Sequence, residues 1–405
     1  MSKLNIFGEV IFDDVIVKEE YHTYHPLNNS YDNNDEVRFV IHNQDLYTSP
    51  FESFIYVEGK VHSPSAGFKF TNNPIAFLLE EVRYLLNGVE IDRVRDVGIT
   101  TTMKGLASYN SSQSRSLNLA GWAPLADKQY IYTPAKKEFA CCVPLAFLLG
   151  FAEDHKQVIA NARQELILLR SRTNLNSFVE APVAGAPDTS DVKIEITKME
   201  WKVPHVWVND DTRLQMLNQL NTDRPLTVSF RRWELHDLPA LKNSDRDVWT
   251  VKTSTNLERP RYVLVAFQTG RKNTTKKDAS RFDHVNIRNI RIHLNSQQIP
   301  YDSLNLEIER GNYALAYQTF VSFAKSYYHP DAAPPEIDYE NYLKYMVYVF
   351  DCSKQGDVVK SSTVDLKIEV EGHAAFPANT TAYCLILHDA VVQYTPLTNV
   401  VRRLQ

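Results

Sequence analysis

The sequence lacks the motifs that mark the common classes of enzyme. It has no phosphate-binding loop, no glycine-rich dinucleotide fingerprint, no nucleophile elbow and no HExxH helix, and only 13 glycines serve its 405 residues. The 12 histidines are scattered singly, so no set of histidine and carboxylate ligands converges in the sequence. We therefore expect no enzyme activity and no cofactor, and we identify no catalytic, cofactor-binding or metal-binding residue.

Cysteines and long apolar runs are also scarce. The 4 cysteines lack the spacing of zinc ligands, which predicts free thiols in a reducing compartment. They are Cys141, Cys142, Cys352 and Cys384. The longest uncharged apolar run, 139–152, falls short of the roughly 20 residues that span a bilayer, and the amino terminus has no signal-peptide core. The sequence predicts no membrane span and no use of the standard secretory route.

Positive charge is not in excess, since 44 basic residues stand against 49 acidic ones and give a formal net charge of -5. A dedicated nucleic-acid binder would be expected to carry a basic surplus. The one basic cluster runs from Arg271 to Lys277 and lacks interleaved aromatic residues that would stack bases. A solvated loop is the simpler interpretation, and contact with packaged nucleic acid or an acidic neighbour stays open.

Two pairs of polar residues have spacings that deserve a functional test. His22 and His25 could share a metal, but His25 precedes a proline, which favours an extended backbone, and no further ligand lies nearby. Glu80 and Glu81 are adjacent, and neighbouring residues of a strand face opposite sides, so their carboxylates would not converge on one substrate. We expect packing or solvated roles for the histidines and a contact with solvent or Arg83 for one glutamate.

The dominant local pattern is an alternation of apolar and polar residues with a period of two, which indicates half-buried antiparallel strands. The clearest case is the segment 364–371, VDLKIEVE, and about sixteen such short strands are predicted along the chain. Helical signals are few. Ala316, Phe320, Phe323 and Tyr327 line one face of a helix predicted over 313–327, and a second helix over 210–220 would connect two domains.

An internal repeat relates the two halves of the chain. Residues 82–91 align with 290–299, and residues 54–57 align with 262–265, both at an offset of 208 residues. Chance similarity between two β domains is the alternative. The repeat, the strand count and the alternation predict an all-β fold with a few short helices, built as two tandem eight-stranded jelly-roll β-sandwiches.

The predicted organisation has three parts, which are an amino-terminal arm over 1–35, a first jelly roll over 36–207 and a second over 208–405. The arm precedes the first strand with clear alternation and carries short apolar stretches among acidic residues. We expect it to lie across a neighbouring domain or subunit without completing its own core.

Several stretches of the chain resemble the double jelly-roll major capsid proteins of the bacteriophage and adenovirus lineage, including Polinton-like elements and virus-derived sequences of invertebrate genomes. These stretches are YHPLNNS at 24–30, VRFVIHNQD at 37–45, FIYVEG at 54–59, FLLEEVRYLLNGVEID at 77–92 and LHDAVVQYTPLT at 387–398. They span most of the chain. Since the chain is short beside the eukaryotic members of this group, the resemblance implies small surface loops.

The resemblance implies a structural major capsid protein that forms homotrimers, each a pseudo-hexameric capsomer that tiles an icosahedral shell. The implied partners are further copies of the chain, neighbouring capsomers and penton or minor capsid proteins. The implied location is the virion, assembled inside the host cell. Two other readings stay open, which are a tandem jelly-roll protein that binds carbohydrate, and a jelly-roll enzyme. The first would present exposed Trp or Tyr side chains on one face, and the second would need converging metal ligands.

Overall fold

The computed structural model describes residues 15–42, 47–65, 67–126, 130–180, 191–222, 224–251, 260–295, 297–354, 365–396 and 398–404. Antiparallel strands dominate these ranges, as the alternation predicts. The strands are β1 Ile16–Tyr24, β2 Glu36–Ile41, β3 Tyr47–Thr48, β4 Phe54–His62, β5 Lys69–Phe70, β6 Leu79–Leu86, β7 Val89–Arg95, β8 Tyr132–Thr133, β9 Glu138–Pro144, β10 Ile159–Ala160, β11 Gln164–Arg170, β12 Phe178–Val179, β13 Lys193–Val208, β14 Leu226–Leu238, β15 Arg246–Val251, β16 Pro260–Thr269, β17 Ile287–Leu294, β18 Gln297–Ile299, β19 Val347–Asp351, β20 Leu366–Gly372, β21 Thr380–Thr395 and β22 Val400–Leu404.

Short helices occupy the connections between strands. They are α1 Pro74–Phe77, α2 Val97–Ser108, α3 Ser111–Leu117, α4 Leu145–Leu148, α5 Gly150–Asp154, α6 Asp210–Leu220 and α7 Ala314–Tyr327. The predicted face of α7 is confirmed, because Ala316, Phe320, Phe323 and Tyr327 are all buried. The predicted connector helix is α6, whose amino end is capped by the side chain of Asn209.

The first half of the chain forms a sandwich of two sheets. One sheet contains β1, β13, β4 and β9 as consecutive neighbours, and β10, β3 and β8 extend it; the other has the order β2, β11, β6, β7. Alternate residues of β2, which are Val37, Phe39 and Ile41, point into the core between the sheets. Two four-stranded sheets joined in this crossing order are the arrangement of a jelly roll.

The second half repeats the same strand order. One sheet has the order β14, β21, β16, β19, with β22 added beside β21, and the other has the order β15, β20, β17, β18. The eight principal strands of each sandwich therefore correspond one to one, from β1 and β14 to β13 and β21, and β22 and the short strands β3, β5, β8, β10 and β12 stand outside this correspondence. The predicted all-β fold with two tandem jelly rolls is confirmed.

The two segments on which the repeat was first aligned occupy equivalent hairpins. Residues 82–91 span the turn from β6 to β7, and residues 290–299 span the turn from β17 to β18. Asn87 and Asn295 hold the left-handed backbone of these turns, with φ of 48° and 54°. Each asparagine side chain also accepts a hydrogen bond from the residue just before a neighbouring strand. Asn87 Oδ1 accepts from the backbone N–H of Arg163, before β11, at 2.8 Å, and Asn295 Oδ1 accepts from the backbone N–H of Asp365, before β20, at 2.9 Å.

The prediction that the first jelly roll begins at residue 36 is wrong. Residues Ile16–Tyr24 of the predicted arm form β1, which pairs antiparallel with β13 and is the first strand of the sandwich. The strand escaped detection because eight of its nine residues are exposed, so neither face shows the alternation of a half-buried strand. Backbone hydrogen bonds hold it at the sheet edge without that pattern. The apolar residues 10–12 of the arm lie outside the described residues.

Within the described ranges, no helix has both the length and the apolar character needed to cross a membrane.

Candidate functional site

The two sandwiches meet at an interface that we call the junction, built by β7, α2 and α5 of the first sandwich against β14 and α7 of the second. Helix α5 lies directly on the backbone of β14. A Cβ atom on Gly150 would stand 1.8 Å from the carbonyl oxygen of Arg231, so this approach requires glycine. The Phe151 backbone N–H donates to Asp92 of β7 at 2.9 Å, which ties α5 to its own sandwich as well.

The side chain of Arg231 crosses the junction. Its Nε and Nη2 donate to the two carboxylate oxygens of Asp154 at 2.9 and 2.5 Å, and its backbone N–H donates to the same carboxylate at 2.8 Å. The guanidinium group also lies 3.6 Å from the centre of the Tyr327 ring and donates to the Tyr327 carbonyl. Although burial opposes the charge, the bonds to Asp154 raise the pKa of Arg231 above its ordinary value.

A fully buried lysine lies beside this pair. Lys104 of α2 forms an ion pair with Glu153 and donates to the hydroxyl of Tyr328 at 2.8 Å. The Glu153 carboxylate accepts in turn from the hydroxyls of Tyr327 and Tyr328 at 2.8 and 2.7 Å. Burial lowers the pKa of Lys104, and Glu153 opposes that shift. Every polar atom of this cluster has a partner, which is the condition for a buried ion pair to be tolerated.

Aromatic rings enclose the ammonium group of Lys104 on several sides. The rings of Tyr109, Trp233, Tyr327 and Tyr328 have their centres 4.6 to 5.3 Å from Nζ. Burial raises the pKa of the Tyr328 hydroxyl well above its ordinary value. Lys104 has no solvent exposure, and its contacts with Glu153 and Tyr328 join the two sandwiches.

Further contacts extend the junction toward the carboxyl terminus. Asp92 is fully buried, and its Oδ1 lies 3.5 Å from Nε of Arg232 on β14. Burial raises the pKa of Asp92, and Arg232 opposes that shift. At the other edge, the Tyr394 hydroxyl donates to the carbonyl of Asn161, and Arg403 of β22 donates to the carbonyl of Glu90.

Sequence reasoning missed this junction. One usable signal is the charged pair Glu153 and Asp154, which directly follows the longest uncharged apolar run. Another is Lys104, the one charged residue of α2. A charge at the end or centre of an apolar segment indicates a buried partner, but the sequence alone does not say that the partners of Asp154 and Glu153 come from both halves.

The predicted basic loop, residues 271–277 of the second sandwich, also contacts the first sandwich. Arg271 pairs with Asp283 at 2.6 Å, and the Lys277 ammonium donates to the Thr269 carbonyl at 2.9 Å. The loop backbone also reaches the first sandwich, because Asn273 N–H donates to the side chain of Asn176 at 2.6 Å. The lysines of the loop are exposed, but the loop itself is anchored at both sandwiches.

The polar pairs considered for metal or carboxylate chemistry do not converge. The His22 ring stacks on His205 with ring centres 4.0 Å apart, whereas His25 lies 3.7 Å from Glu200. Glu81 contacts Arg83 at 2.9 Å, as one of the two predicted alternatives has it. No three His, Cys, Asp or Glu side chains of the described residues come close enough together to hold a metal ion. The cysteines are unpaired, and three of the four are buried.

Comparisons with known proteins agree with this architecture. A family model described as a double jelly roll-like domain matches residues 68–392. No curated protein matches the sequence. Among solved structures, a chain of the Sputnik virophage is 9% identical with a TM-score of 0.60, and the match covers 100% of this chain and 91% of that one. The mavirus major capsid protein is 12% identical with a TM-score of 0.58, covering 100% and 93%.

The Faustovirus major capsid protein has a TM-score of 0.60 at 9% identity, covering 95% of this chain and 92% of that one. Identities this low establish a common fold and leave the activity of this chain to be argued from its own residues. The family match spans most of the sequence, and both halves have the strand order of a jelly roll. The chain therefore belongs to the double jelly roll-like domain family.

Proposed function

We propose that the protein is a structural major capsid protein without enzyme activity, which forms cyclic homotrimers that tile an icosahedral shell. The proposed units are a first sandwich from β1 to β13 and a second from β14 to β22, joined by α6. The proposed location is the virion, and the proposed partners are further copies of the chain together with penton or minor capsid proteins. The structural relatives, which include named major capsid proteins, support this proposal.

The observation that carries the proposal is a difference in solvent exposure between the equivalent strands β1 and β14. Strand β14 is covered by the first sandwich, and its Phe230 and Trp233 are buried at the junction. Strand β1 has the same place in the first sandwich, yet Val17 and Tyr21 are 67% and 54% exposed. Val15 and Ile16 add 45% and 49% exposed apolar side chains. A cluster of exposed apolar residues on a sheet edge indicates an interaction site.

The second sandwich has an uncovered face that corresponds to the covering face of the first. The elements of the first sandwich that cover β14 include β7 and α2, and their counterparts are β18 and α7. Beside β18 lies Tyr301, which is 90% exposed, and α7 carries Leu315, which is 56% exposed. This face matches β1 in chemistry, since both offer apolar side chains.

The junction inside one chain can therefore be repeated between chains. If β18 and α7 of one subunit cover β1 of the next, each subunit contributes one internal and one external contact of the same kind. Such a head-to-tail contact closes into a ring when its rotation divides a full turn. Six sandwiches from three chains would form a ring with pseudo-sixfold symmetry, which is a shape that tiles a shell.

Native mass measurement of the purified protein tests the proposed assembly. We expect a species of about three times 46.5 kDa, and negative-stain images should show closed rings and shells. The variant Val17→Glu places a charge on the β1 face and should give a folded monomer. Leu119→Glu changes an equally exposed leucine outside both proposed faces and should keep the trimer. The proposal would be contradicted if the wild-type protein stayed monomeric at high concentration, or if the Val17→Glu variant stayed trimeric.

A further inference from the structure

A cleft of about 590 Å³ opens between the two sandwiches at a distance from the junction cluster. Its walls come from the connections β4 to β6 and β7 to β9 of the first sandwich, together with Val179 and Glu180 after β11, and from the connections β16 to β17 and β18 to β19 of the second. Clefts of 300 to 1,000 Å³ are typical of sites for small ligands. The basic loop that the sequence singled out forms part of the lining.

The lining of the cleft is strongly cationic. It has six basic side chains and two acidic ones, Glu180 and Asp278, which gives a local net charge of +4 on a chain whose total is -5. The basic residues are Lys69, Arg271, Lys276, Lys277, Arg281 and Lys344. Arg271, Lys276, Lys277 and Arg281 lie in the connection between β16 and β17, and the fold adds Lys69 of the first sandwich and Lys344 of the second to them. Such a concentration attracts anions.

The cleft is held open by contacts between its walls. The Asn273 and Glu180 backbone N–H groups donate across the sandwiches, to Asn176 at 2.6 Å and to Thr275 at 2.9 Å. The Tyr345 hydroxyl donates to the Pro124 carbonyl, also from one sandwich to the other. Since these bonds fix the walls in place, a ligand would meet a preformed site with little ordering cost.

A buried donor in the wall lacks a partner. Asn72 is only 9% exposed, and its Oδ1 accepts from the Ala123 backbone at 2.7 Å. Its Nδ2 has no hydrogen-bond partner among the described residues. A buried amide donor without a partner is costly, and an acceptor oxygen of a bound ligand would relieve that cost.

The lining favours a charged sugar over a nucleic acid. Of the three aromatic side chains in the lining, Phe70 and Tyr345 are buried and only Tyr130 is exposed. Proteins that bind single strands offer several exposed rings along a groove, because each base stacks on one. Lysine and arginine beside the polar side chains of Thr71 and Asn341 suit sulfate groups and sugar hydroxyls.

The cleft lies at the end of the molecule opposite to the start of β1 and the connector helix α6. Along β13, Lys193 pairs with His62 near the cleft, whereas Val208 pairs with Ile16 at the far end. These ends are roughly 50 Å apart for a strand of this length. A ligand in the cleft would therefore meet a surface that neither β1 nor α6 shares.

We propose that this cleft binds a sulfated saccharide, with its sulfate groups held by lysine side chains of both sandwiches. This inference goes beyond the capsid role and does not depend on assembly, because one chain contains the whole cleft. Failure of the binding test would leave the trimer prediction untouched.

The test is calorimetric titration of the full-length protein with a heparin-derived tetrasaccharide and with its desulfated form. The double variant Lys276→Glu and Lys344→Glu reverses two exposed cleft charges, and the matched control Lys325→Glu and Lys367→Glu changes the net charge equally outside the cleft. We expect the cleft variant to bind about tenfold more weakly or worse, the control to match the wild type, and binding to fall with added salt.

Thermal unfolding of both variants verifies that they are folded; if the cleft variant unfolds early, Lys344→Gln alone replaces it in the titration. Equal loss of affinity in the control, or equal binding of the desulfated sugar, would overturn the proposal. A single-stranded oligonucleotide of the same charge serves as a competitor. If it binds more tightly than the saccharide and only the cleft variant loses it, the site is a nucleic-acid site and the saccharide assignment is wrong.

Discussion

Strands β1 and β14 have the same place in the two sandwiches but are stabilised differently. β14 lies under the first sandwich, where Phe230 and Trp233 are buried and Arg231 pairs with Asp154. β1 is held mainly by its backbone pairing with β13, because its side chains are almost all exposed. The two halves therefore share a strand order but differ in burial, and the uncovered strand is the surface that we propose a second subunit covers.

The histidines beside these strands show the same divergence. In the first sandwich His22 stacks on His205, and burial together with His22 lowers the pKa of His205 to about 4. In the second sandwich His236 and His388 lie beside Glu234. Burial tends to raise the pKa of Glu234, but the two neighbouring imidazoles hold it well below its ordinary value. One strand pair therefore contains stacked imidazoles, and the other contains a carboxylate paired with imidazoles.

The largest expected loss of stability comes from removing the buried Lys104–Glu153 ion pair at the junction that covers β14. Lys104→Met removes the cation and leaves Glu153 buried without its ion-pair partner. We expect the free energy of unfolding to fall by about 3 to 5 kcal/mol, measured by urea denaturation. The matched change on the uncovered strand is Lys18→Met, which removes an exposed pair with Glu20 and should cost less than about 1 kcal/mol. Equal costs for the two variants would show that the buried pair at the junction stabilises the protein no more than an exposed ion pair does.

A smaller effect is expected where the backbones touch. Gly150→Ala places a methyl group against the carbonyl of Arg231, and neither backbone can yield without moving α5. We expect a loss of about 1 to 3 kcal/mol in the free energy of unfolding. The comparison variant Val17→Ala on exposed β1 should stay within about 0.5 kcal/mol of the wild type. An unchanged Gly150→Ala protein would place α5 farther from β14 than the structure has it.

Much of the fold followed from the sequence, and the reasons are visible in particular residues. The alignment of residues 82–91 with 290–299 predicted equivalent positions for the two segments, which form corresponding hairpins, and α7 was predicted because its buried face repeats at helical spacing. β1 was missed because edge pairing leaves no apolar pattern. The Lys104 cluster was missed because its members lie on helices of both halves, which only the folded chain brings together. The basic loop was noticed, but the cleft was not, because Lys69, Lys344 and the other walls lie far from the loop in the sequence.

The repeated turns allow a third prediction, in which the two halves should behave alike. Asn87→Ala and Asn295→Ala each remove a side-chain acceptor and place alanine, which tolerates the left-handed conformation less well than asparagine, at a positive φ. We expect each to lower the free energy of unfolding by about 1 to 2 kcal/mol. Chemical denaturation of the single variants gives the comparison. A cost confined to one of the two would mean that the halves have diverged at this turn as well.

The smallest effect is a difference in acid sensitivity. Unfolded His205 takes up a proton near pH 6.5 and the folded form only near pH 4, so stability at β1 falls as the pH drops through that window. Glu234 has a lowered pKa, so its contribution is present above about pH 4.5 and is lost only at far lower pH.

Hydrogen exchange measures this difference directly. Between pH 7 and pH 5, corrected for intrinsic rates, we expect β1 amides to lose protection by about threefold relative to β14 amides, since solvent screening leaves only part of the shift. His205→Gln should abolish the difference, and the exposed His62→Gln should not. Protection of β1 that is independent of pH would contradict the stacked-histidine account.

The central claim is that one kind of contact joins sandwiches both within a chain and between chains. An electron cryo-microscopy structure of the purified assembly tests it most directly. We predict a ring of three chains in which β18, Tyr301 and α7 of one subunit cover β1 of the next, as β7 and α2 cover β14 within each chain. A ring in which β1 remains exposed to solvent, or is covered by another first sandwich, would contradict the account.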